Sequence, residues 1–177
     1  MEVTTGTNCL TKAEDRLAEA LANSASFQSL TGTASAADAQ AHVFSDYWPK
    51  PLLGGDAKSK HDHSHLSAGA LLYAPDDQPY VVNLSSGTIR SSGNTSMVFR
   101  RVVSDEDRDD MPEVERFLKN ALGDVIDDVF VYTRINDGLD WLQSANMTAP
   151  PRHNGRAMFP VNGDLHECEI LFSWGLS

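Results

Sequence analysis

Apolar side chains recur with a helical period along one stretch in the second half of the chain. Side chains spaced i, i+3, i+4, i+7, i+8 share one face of an α-helix. The pattern therefore predicts an amphipathic helix near Pro112 to Tyr132. We expect Asp110 or Met111 to cap it, with Pro112 in the first turn, where a missing N–H costs nothing. The spacing continues without a gap through Val114, Phe117, Leu118, Ala121, Leu122, Val125, Ile126, Val129 and Phe130.

A second helical pattern lies near the start of the chain. Thr11 and Glu14 have the spacing of a capping box, in which a hydroxyl and a carboxylate each accept a hydrogen bond from a free backbone N–H. A shorter helix is predicted from Ser35, with Asp38 in its first turn. The first helix is expected to end at residues 23–24, and its apolar stripe consists of Ala13, Leu17, Ala20 and Leu21.

Short apolar runs bounded by turn residues predict strands in the middle of the chain. A turn at Pro75–Gln78 is expected to join the first two runs, and the polar segment 91–94 is expected to join the last two. The final strand of this group is expected to reach Val103. The four runs are Leu71–Tyr73, Tyr80–Leu84, Thr88–Arg90 and Met97–Phe99.

Apolar and polar side chains alternate along the C-terminal segment. This alternation is typical of an antiparallel sheet that is covered by helices on one side. A preceding strand is predicted from Leu139 to Met147, and Pro150–Pro151 is expected to end it. One face of the last strand comprises His166, Cys168, Ile170, Phe172 and Trp174, and the other comprises Glu167, Glu169 and Ser173.

These elements together predict an α+β fold. We expect a mixed, mostly antiparallel sheet with a long amphipathic helix packed on one face and an N-terminal helical segment. The length of 177 residues suits a single domain that spans residues 1–177. No period is sustained from about 45 to 67, so we predict a long loop or arm there. His166, on the apolar face of its strand, is expected to be a core histidine with its hydrogen bonds satisfied.

Acidic residues outnumber basic ones, with 25 Asp and Glu against 14 Lys and Arg and a net charge of -11. This charge repels phosphate backbones, so passive binding of nucleic acid is not expected. No apolar run has the length of a bilayer span, and residues 1–7 lack the basic and apolar regions of a secretory signal. Cys9 and Cys168 have no motif spacing, and we expect free thiols in a reducing cytoplasm.

Three alternating histidines, His61, His63 and His65, are the best candidate for chemistry. Imidazoles that alternate on an extended segment point to one side and can grip a transition metal. A metal site also needs fixed hydrogen bonds around its ligands, and we therefore favour a solvated polar loop. The sequence has no phosphate-binding glycine loop, no nucleophile elbow and no CxxC pair. We expect no enzymatic activity and no cofactor.

An acidic run precedes the long helix. Its alternating acids begin like a calcium loop, but the glycine that the sharp turn requires does not follow. A solvated loop is the simplest interpretation, because the helix macrodipole favours negative charge at an N-terminus. An assembly surface or channel wall is the third interpretation. The run comprises Asp105, Glu106, Asp107, Asp109, Asp110, Glu113 and Glu115.

The order of elements and several sequence segments resemble the tail terminator, or tail completion, proteins of long-tailed bacteriophages. Segment 114–128, VERFLKNALGDVIDD, is similar to their central helix, and segment 10–21, LTKAEDRLAEAL, is similar to their first helix. The Pro150-Pro151-Arg152 break and the closing ILFSWGL of residues 170–176 are similar to their last sheet strands. The resemblance covers nearly the full length and departs in the longer, His-rich segment 45–67.

This resemblance implies a structural virion protein of the neck, assembled in the host cytoplasm, without catalytic residues. It implies a homohexameric ring that caps the tail tube protein and meets the head-side connector or stopper protein, without membrane contact. DNA would pass through without specific binding. Trp48, Pro49 and Pro51 are the predicted interface arm, since a tryptophan is a frequent interface anchor. An acidic lumen would let the duplex slide, with Asp105, Asp107, Asp109, Asp124, Asp127 and Asp128 as candidates.

Other functions also fit the sequence. Another neck or head-completion protein would have the same general pattern. A metal-dependent enzyme would be centred on His61, His63 and His65. A host-encoded adaptor or immunity-type binding module would share the acidic charge but would not form a ring.

Overall fold

The computed structural model describes residues 11–45, 67–77, 80–137, 141–157 and 162–176. Three helices come first, followed by four strands, one long helix and two closing strands. The helices are α1 (Lys12–Asn23), α2 (Ala25–Thr31), α3 (Ala36–Gln40) and α4 (Val114–Asp137). The strands are β1 (Val43–Ser45), β2 (Ala68–Tyr73), β3 (Val81–Ser85), β4 (Thr88–Ser104), β5 (Leu142–Ala157) and β6 (Gly163–Leu176).

The strands form one sheet in the order β1-β2-β4-β6-β5, and β3 pairs with the beginning of β4. Strands β1 and β2 are parallel, and the other pairs are antiparallel. The predicted α+β class, with a mixed and mostly antiparallel sheet, is confirmed.

Strand β6 supplies the centre of the core, and its predicted alternation is confirmed. Cys168, Ile170, Phe172 and Trp174 are buried on the side that faces the helices. On the neighbouring β4, Met97 lies opposite Ile170 and is also buried. Each large apolar side chain buried in this way contributes about 1.5–3 kcal/mol before the entropic cost. The helices add Leu17, Leu21, Leu118, Leu122, Val125 and Val129 to the same cluster.

Helix α4 begins at Val114, so Asp110 and Met111 lie too far before it to cap it, and Pro112 precedes its first turn instead of lying within it. It contacts α1, α2 and β5. Its predicted core positions are buried or partly buried, except Phe117, which is 43% exposed. Phe117 lies about 100° around the helix from the buried Leu118. The Arg101 guanidinium stands 5.7 Å from its ring instead.

The first helices differ from the prediction in their caps. The Thr11 side chain makes no capping hydrogen bond, and the Glu14 carboxylate accepts from the Tyr80 hydroxyl at 2.5 Å. Ser24 ends α1 but also caps α2, a helix that the sequence pattern missed. The predicted short helix near Ser35 is confirmed, with Asp38 in its first turn; Ser35 is its N-cap, and the Ser35 hydroxyl accepts from the Asp38 N–H at 3.2 Å.

Segment 91–94 is not a turn. It lies inside β4, a single strand of 17 residues, and pairs with β6. The turn lies earlier, between β3 and β4. Ser86 and Gly87 both have positive φ, at 51° and 79°, which is the geometry of a tight two-residue hairpin.

Pro150 and Pro151 do not end a strand, because β5 continues through them to Ala157. Strand β5 lies at the edge of the sheet. A proline at an edge removes an N–H that has no neighbour to bind. The register shifts between Ala149 and Arg152, where the strand absorbs the two prolines as an irregularity.

Replacing Leu122 with Asp is expected to abolish soluble folded protein. Leu122 has 0% exposure, and burial of an unpaired carboxylate with loss of packing costs about 4–5 kcal/mol or more. Asn120→Asp, exposed on the same helix, is the matched control and should melt like the wild type. Circular dichroism melting separates the two variants. A wild-type melting temperature for Leu122→Asp would contradict the placement of α4.

Asp128 is expected to give a pH-dependent contribution to stability. Burial alone would raise the pKa of its carboxyl, but hydrogen bonds from Ser24 and Ser26 outweigh burial and lower it. A lowered pKa in the folded state gives stability that is present above the unfolded pKa and is lost as pH falls through the folded pKa.

The test is Asp128→Ala. At neutral pH it should lower the free energy of unfolding by about 1 kcal/mol, a value reduced by partial solvent exposure. Denaturant titrations should show the difference shrinking at strongly acidic pH. Asp127→Ala, at an exposed neighbouring position, should have little effect. If Asp128→Ala lowers the free energy of unfolding equally at neutral and at strongly acidic pH, the contact of Asp128 with Ser24 and Ser26 does not depend on the charge of the carboxylate.

Candidate functional site

The predicted arm and the histidine cluster lie outside the described residues. This applies to Trp48, Pro49 and Pro51, and equally to His61, His63 and His65. Both assignments stay predictions. Within the described ranges, no group of three His, Cys, Asp or Glu side chains is arranged to hold a metal ion.

Part of the acidic run after β4 is engaged in local contacts. Asp105 pairs with Arg156 at 2.6 Å and with Arg108 at 3.4 Å. The Arg156 hydrogen bond lowers the pKa of Asp105. The Asp107 carboxylate accepts from the Ser104 hydroxyl at 2.6 Å. Both acids therefore help to hold the loop in place, but only the charge of Asp105 is balanced by arginines, and Asp107 keeps its charge at an exposed position.

A second carboxylate, that of Asp164 on β6, completes a charge-balanced cluster. Its two oxygens meet Arg108 at 3.0 Å and Arg156 at 3.2 Å. His153 on β5 lies 3.5 Å from the same carboxylate. Two acids and two arginines thus join the loop between β4 and α4 to the β5–β6 hairpin. Sequence reasoning missed this cluster because its members lie on segments far apart in the chain.

The acids of α4 divide into two kinds. Asp124 and Asp127 are exposed. The Asp128 carboxylate accepts from the Ser24 hydroxyl at 2.7 Å and from the Ser26 N–H at 3.1 Å. These contacts give Asp128 a structural role at the start of α2.

An apolar patch on the β3–β4 hairpin was not predicted. Leu84 lies directly opposite Ile89, and Val82 lies two residues before Leu84 on the same face. Side chains alternate between the two faces of the sheet along β4. Ile89 therefore lies on the same face as the buried Met97, eight residues further along the strand. We name these three side chains the hairpin patch. Val82 is 43% exposed, Leu84 is 75% exposed and Ile89 is 57% exposed.

A second apolar patch lies near the C-terminal end of α4. Val131 and Ile135 are 57% and 73% exposed, and their i, i+4 spacing aligns them along one side of the helix. We name them the helix patch. Helix α4 packs against the edge strand β5, whereas β3 lies beyond β4, on the side of β2. The two patches therefore lie on different elements, one on the hairpin beyond β4 and the other on the helix that packs against β5.

The sheet face opposite the helices carries ordered carboxylates. Glu169 accepts from the hydroxyls of Tyr73 and Ser96 at 2.9 and 2.7 Å. Glu167 pairs with Arg100 at 2.8 Å, and the Asn154 amide donates to it at 2.9 Å. Burial, followed by interaction with Glu169, raises the pKa of Tyr73. This network fixes the side chains of a half-buried polar face.

His166 is buried as predicted, with 8% exposure. Its hydrogen bonds are not satisfied as predicted, because its Nδ1 has no partner among the described residues. Burial lowers the pKa of His166, and His153 lowers it further. The two imidazole rings lie edge to face with centroids 5.8 Å apart.

No protein-family model matches the chain, and no curated protein is significantly similar to it. Among the described helices, none combines the length and the apolar character of a membrane span.

Proposed function

We propose that this protein is a structural ring subunit of the phage neck, of the tail terminator type. The observation that carries the proposal is the pair of unlike exposed apolar patches on two different elements of one subunit. Val82, Leu84 and Ile89 form the first patch, and Val131 and Ile135 form the second. Large exposed apolar side chains grouped in this way are typical of surfaces that bind another protein.

Two different patches favour a head-to-tail contact. In a two-fold dimer one surface meets a copy of itself, whereas a head-to-tail contact joins two unlike surfaces and closes into a ring when the rotation permits. The hairpin patch of one subunit would cover the helix patch of its neighbour. Closure of the ring would cover both of these patches on every subunit.

Ring formation would also protect the edges of the sheet. Strand β5 and strand β1 are the terminal strands in the sheet order, and edge strands carry unpaired backbone groups that attract other chains. Pro150 and Pro151 already protect part of β5. A neighbouring subunit that packs over each edge would protect the rest.

The remaining partners follow from the position of a tail terminator. The ring would contact the tail tube protein on one side and the connector or stopper protein on the other. The arm with Trp48, Pro49 and Pro51 would reach a neighbouring subunit or the tube. Another neck or head-completion protein would use the same patches and is the second candidate.

Leu84→Glu and Ile135→Glu are each expected to break the ring. A carboxylate in an apolar contact must lose its hydration without a partner. Light scattering should then report the 19.3 kDa subunit instead of a multiple of that mass. Circular dichroism should stay unchanged, because both side chains are exposed in the subunit.

Two further variants make this test specific. Asn83→Glu changes an exposed residue on the opposite face of β3 and should leave the ring intact. The combination Leu84→Glu with Ile135→Lys should restore assembly, because opposite charges then meet across the contact. Assembly that survives both single substitutions would refute the head-to-tail contact.

Three of the candidate lumen acids can be replaced without touching a structural contact described above. The carboxylates of Asp105, Asp107 and Asp128 contact Arg156, Ser104 and Ser24, so their replacement would also disturb the fold. The other acids of the predicted set, Asp109, Asp124 and Asp127, are exposed. An acidic lumen repels phosphates, and a basic one would retain DNA through release of counterions.

Combined replacement of Asp109, Asp124 and Asp127 with Lys should make the ring retain duplex DNA at low salt. Retention should fall as salt rises, because phosphate contacts are salt-dependent. Electrophoretic mobility of DNA measures retention, and light scattering verifies that the ring persists. Asp76→Lys, in an exposed turn, is the control and should retain less DNA. If the control and the triple variant retain equal amounts of DNA, the acidic charge at Asp109, Asp124 and Asp127 serves solubility and not the passage of DNA.

A further inference from the structure

Three basic side chains lie side by side on the helix-facing side of the sheet, near the start of α4. His166 of β6 lies directly opposite Arg101 of β4 on one side and His153 of β5 on the other. No described residue forms an ion pair or a hydrogen bond with the Arg101 side chain. Like charges at directly opposite strand positions destabilise a sheet, so a charge on His166 is unfavourable in this row.

The imidazole of His166 cannot take up a proton in its present surroundings without a loss of stability. The residue is 8% exposed, and its Nδ1 is buried without a hydrogen-bond partner among the described residues. A charged imidazole carries an N–H on both ring nitrogens, so protonation would leave a buried donor without an acceptor. Burial accordingly lowers the pKa of His166, and His153 lowers it further.

Acids near His166 do not reverse this preference for the neutral ring. Asp164 and Glu115 raise the pKa of His166, but by less than burial and His153 lower it. The Asp164 carboxylate also pairs with two arginines and lies 3.5 Å from His153. The ion pairs among the other charged side chains of the cleft that His166 lines are Arg108–Asp164 and Arg116–Glu113.

The second half of β5 is the part of the sheet next to His166 that opens most readily. Strand β5 is an edge strand, residues 152–156 are exposed, and the register shifts twice between Ala149 and Arg156. Segments with few buried contacts open at a lower free energy than the core. The His153 ring lies edge to face against the His166 ring, with centroids 5.8 Å apart. Detachment of this segment would therefore admit water to the buried imidazole.

We propose that His166 is an acid-sensitive switch, whose protonation releases residues 152–157 of β5 from β6. Above about pH 6.5, the ordinary pKa of a histidine, the ring is neutral in both forms and the segment stays paired. As pH falls below this value, the open form takes up a proton that the closed form resists, until the pH reaches the lowered pKa of the closed form. The switch belongs to a single subunit and does not depend on ring formation.

Hydrogen exchange of the backbone amides, measured by nuclear magnetic resonance at pH 7 and pH 5, tests the proposal. Rates are corrected for the intrinsic pH dependence of exchange and expressed as protection factors. One proton taken up on opening changes the open population by up to about tenfold per pH unit. Protection of the hydrogen-bonded amides in residues 152–157 should therefore fall about tenfold, while residues 95–99 of β4 keep theirs. Equal protection at both pH values, or a parallel fall in β4, would overturn the proposal.

Two variants assign the effect to His166. His166→Phe keeps an aromatic ring that cannot take up a proton, so the protection of residues 152–157 should no longer depend on pH. His42→Gln is the control at another buried histidine, whose Nδ1 lies 2.7 Å from the Ala68 carbonyl. This variant should retain the fall in protection. The same fall in His166→Phe would assign the effect to another group and overturn the proposal.

The wild-type protein gives a test that does not depend on the folding of His166→Phe. The side-chain nitrogen resonances of His166 report directly whether the ring is charged. At about pH 6, where a free histidine is mostly charged, His166 should be neutral in molecules whose residues 152–157 are protected. A charged His166 in molecules that keep this segment fully protected would contradict the switch.

Discussion

The pairing of β4 with β6 determines where the other elements lie. The two strands pair continuously from Ser91 to Ser104 of β4, and their apolar faces combine into one surface that must be covered. The helices cover its middle through residues such as Leu122 and Val129. Because β4 extends past the last residue of β6 with which it pairs, the same face continues uncovered onto the β3–β4 hairpin. The hairpin patch is therefore exposed because β4 extends beyond the helices that cover the rest of its apolar face.

The opposite end of the same strands produces a polar surface. Past Val103 the β4 chain turns into the acidic loop, which is fastened to β5 and β6 by Arg108, Arg156 and Asp164. This clamp sets the position from which α4 starts. Helix α4 runs from this clamp to the helix patch near its other end.

Local periodicity explains which elements were predictable from sequence. Helix α4 and strand β6 each carry a long, unbroken pattern, and both were found. The passage of β5 through Pro150 and Pro151 was missed, because the proline penalty depends on whether a strand is central or at an edge. Whether β5 is a central strand or an edge strand depends on how distant segments of the chain pair. Helix α2 was missed because its seven residues are too short for a reliable period.

Candidate site residues were harder to predict than the fold. An exposed Leu84 and a buried Leu72 look alike in sequence, and only the limits of the helical layer distinguish them. The charge run was visible, but the partners of Asp105 and Asp164 lie on other strands. His166 was recognised as buried, whereas its missing hydrogen bond required the three-dimensional surroundings.

Disulfide trapping tests the proposed ring most directly. A variant with Leu84→Cys and Ile135→Cys, in a background with Cys9→Ser, places a thiol in each apolar patch, while Cys168 remains buried. Mild oxidation should give a ladder of covalently linked subunits that ends in one closed species. Each single-cysteine variant should stop at a dimer or remain monomeric. A double variant that forms no linked species beyond a dimer would contradict head-to-tail assembly.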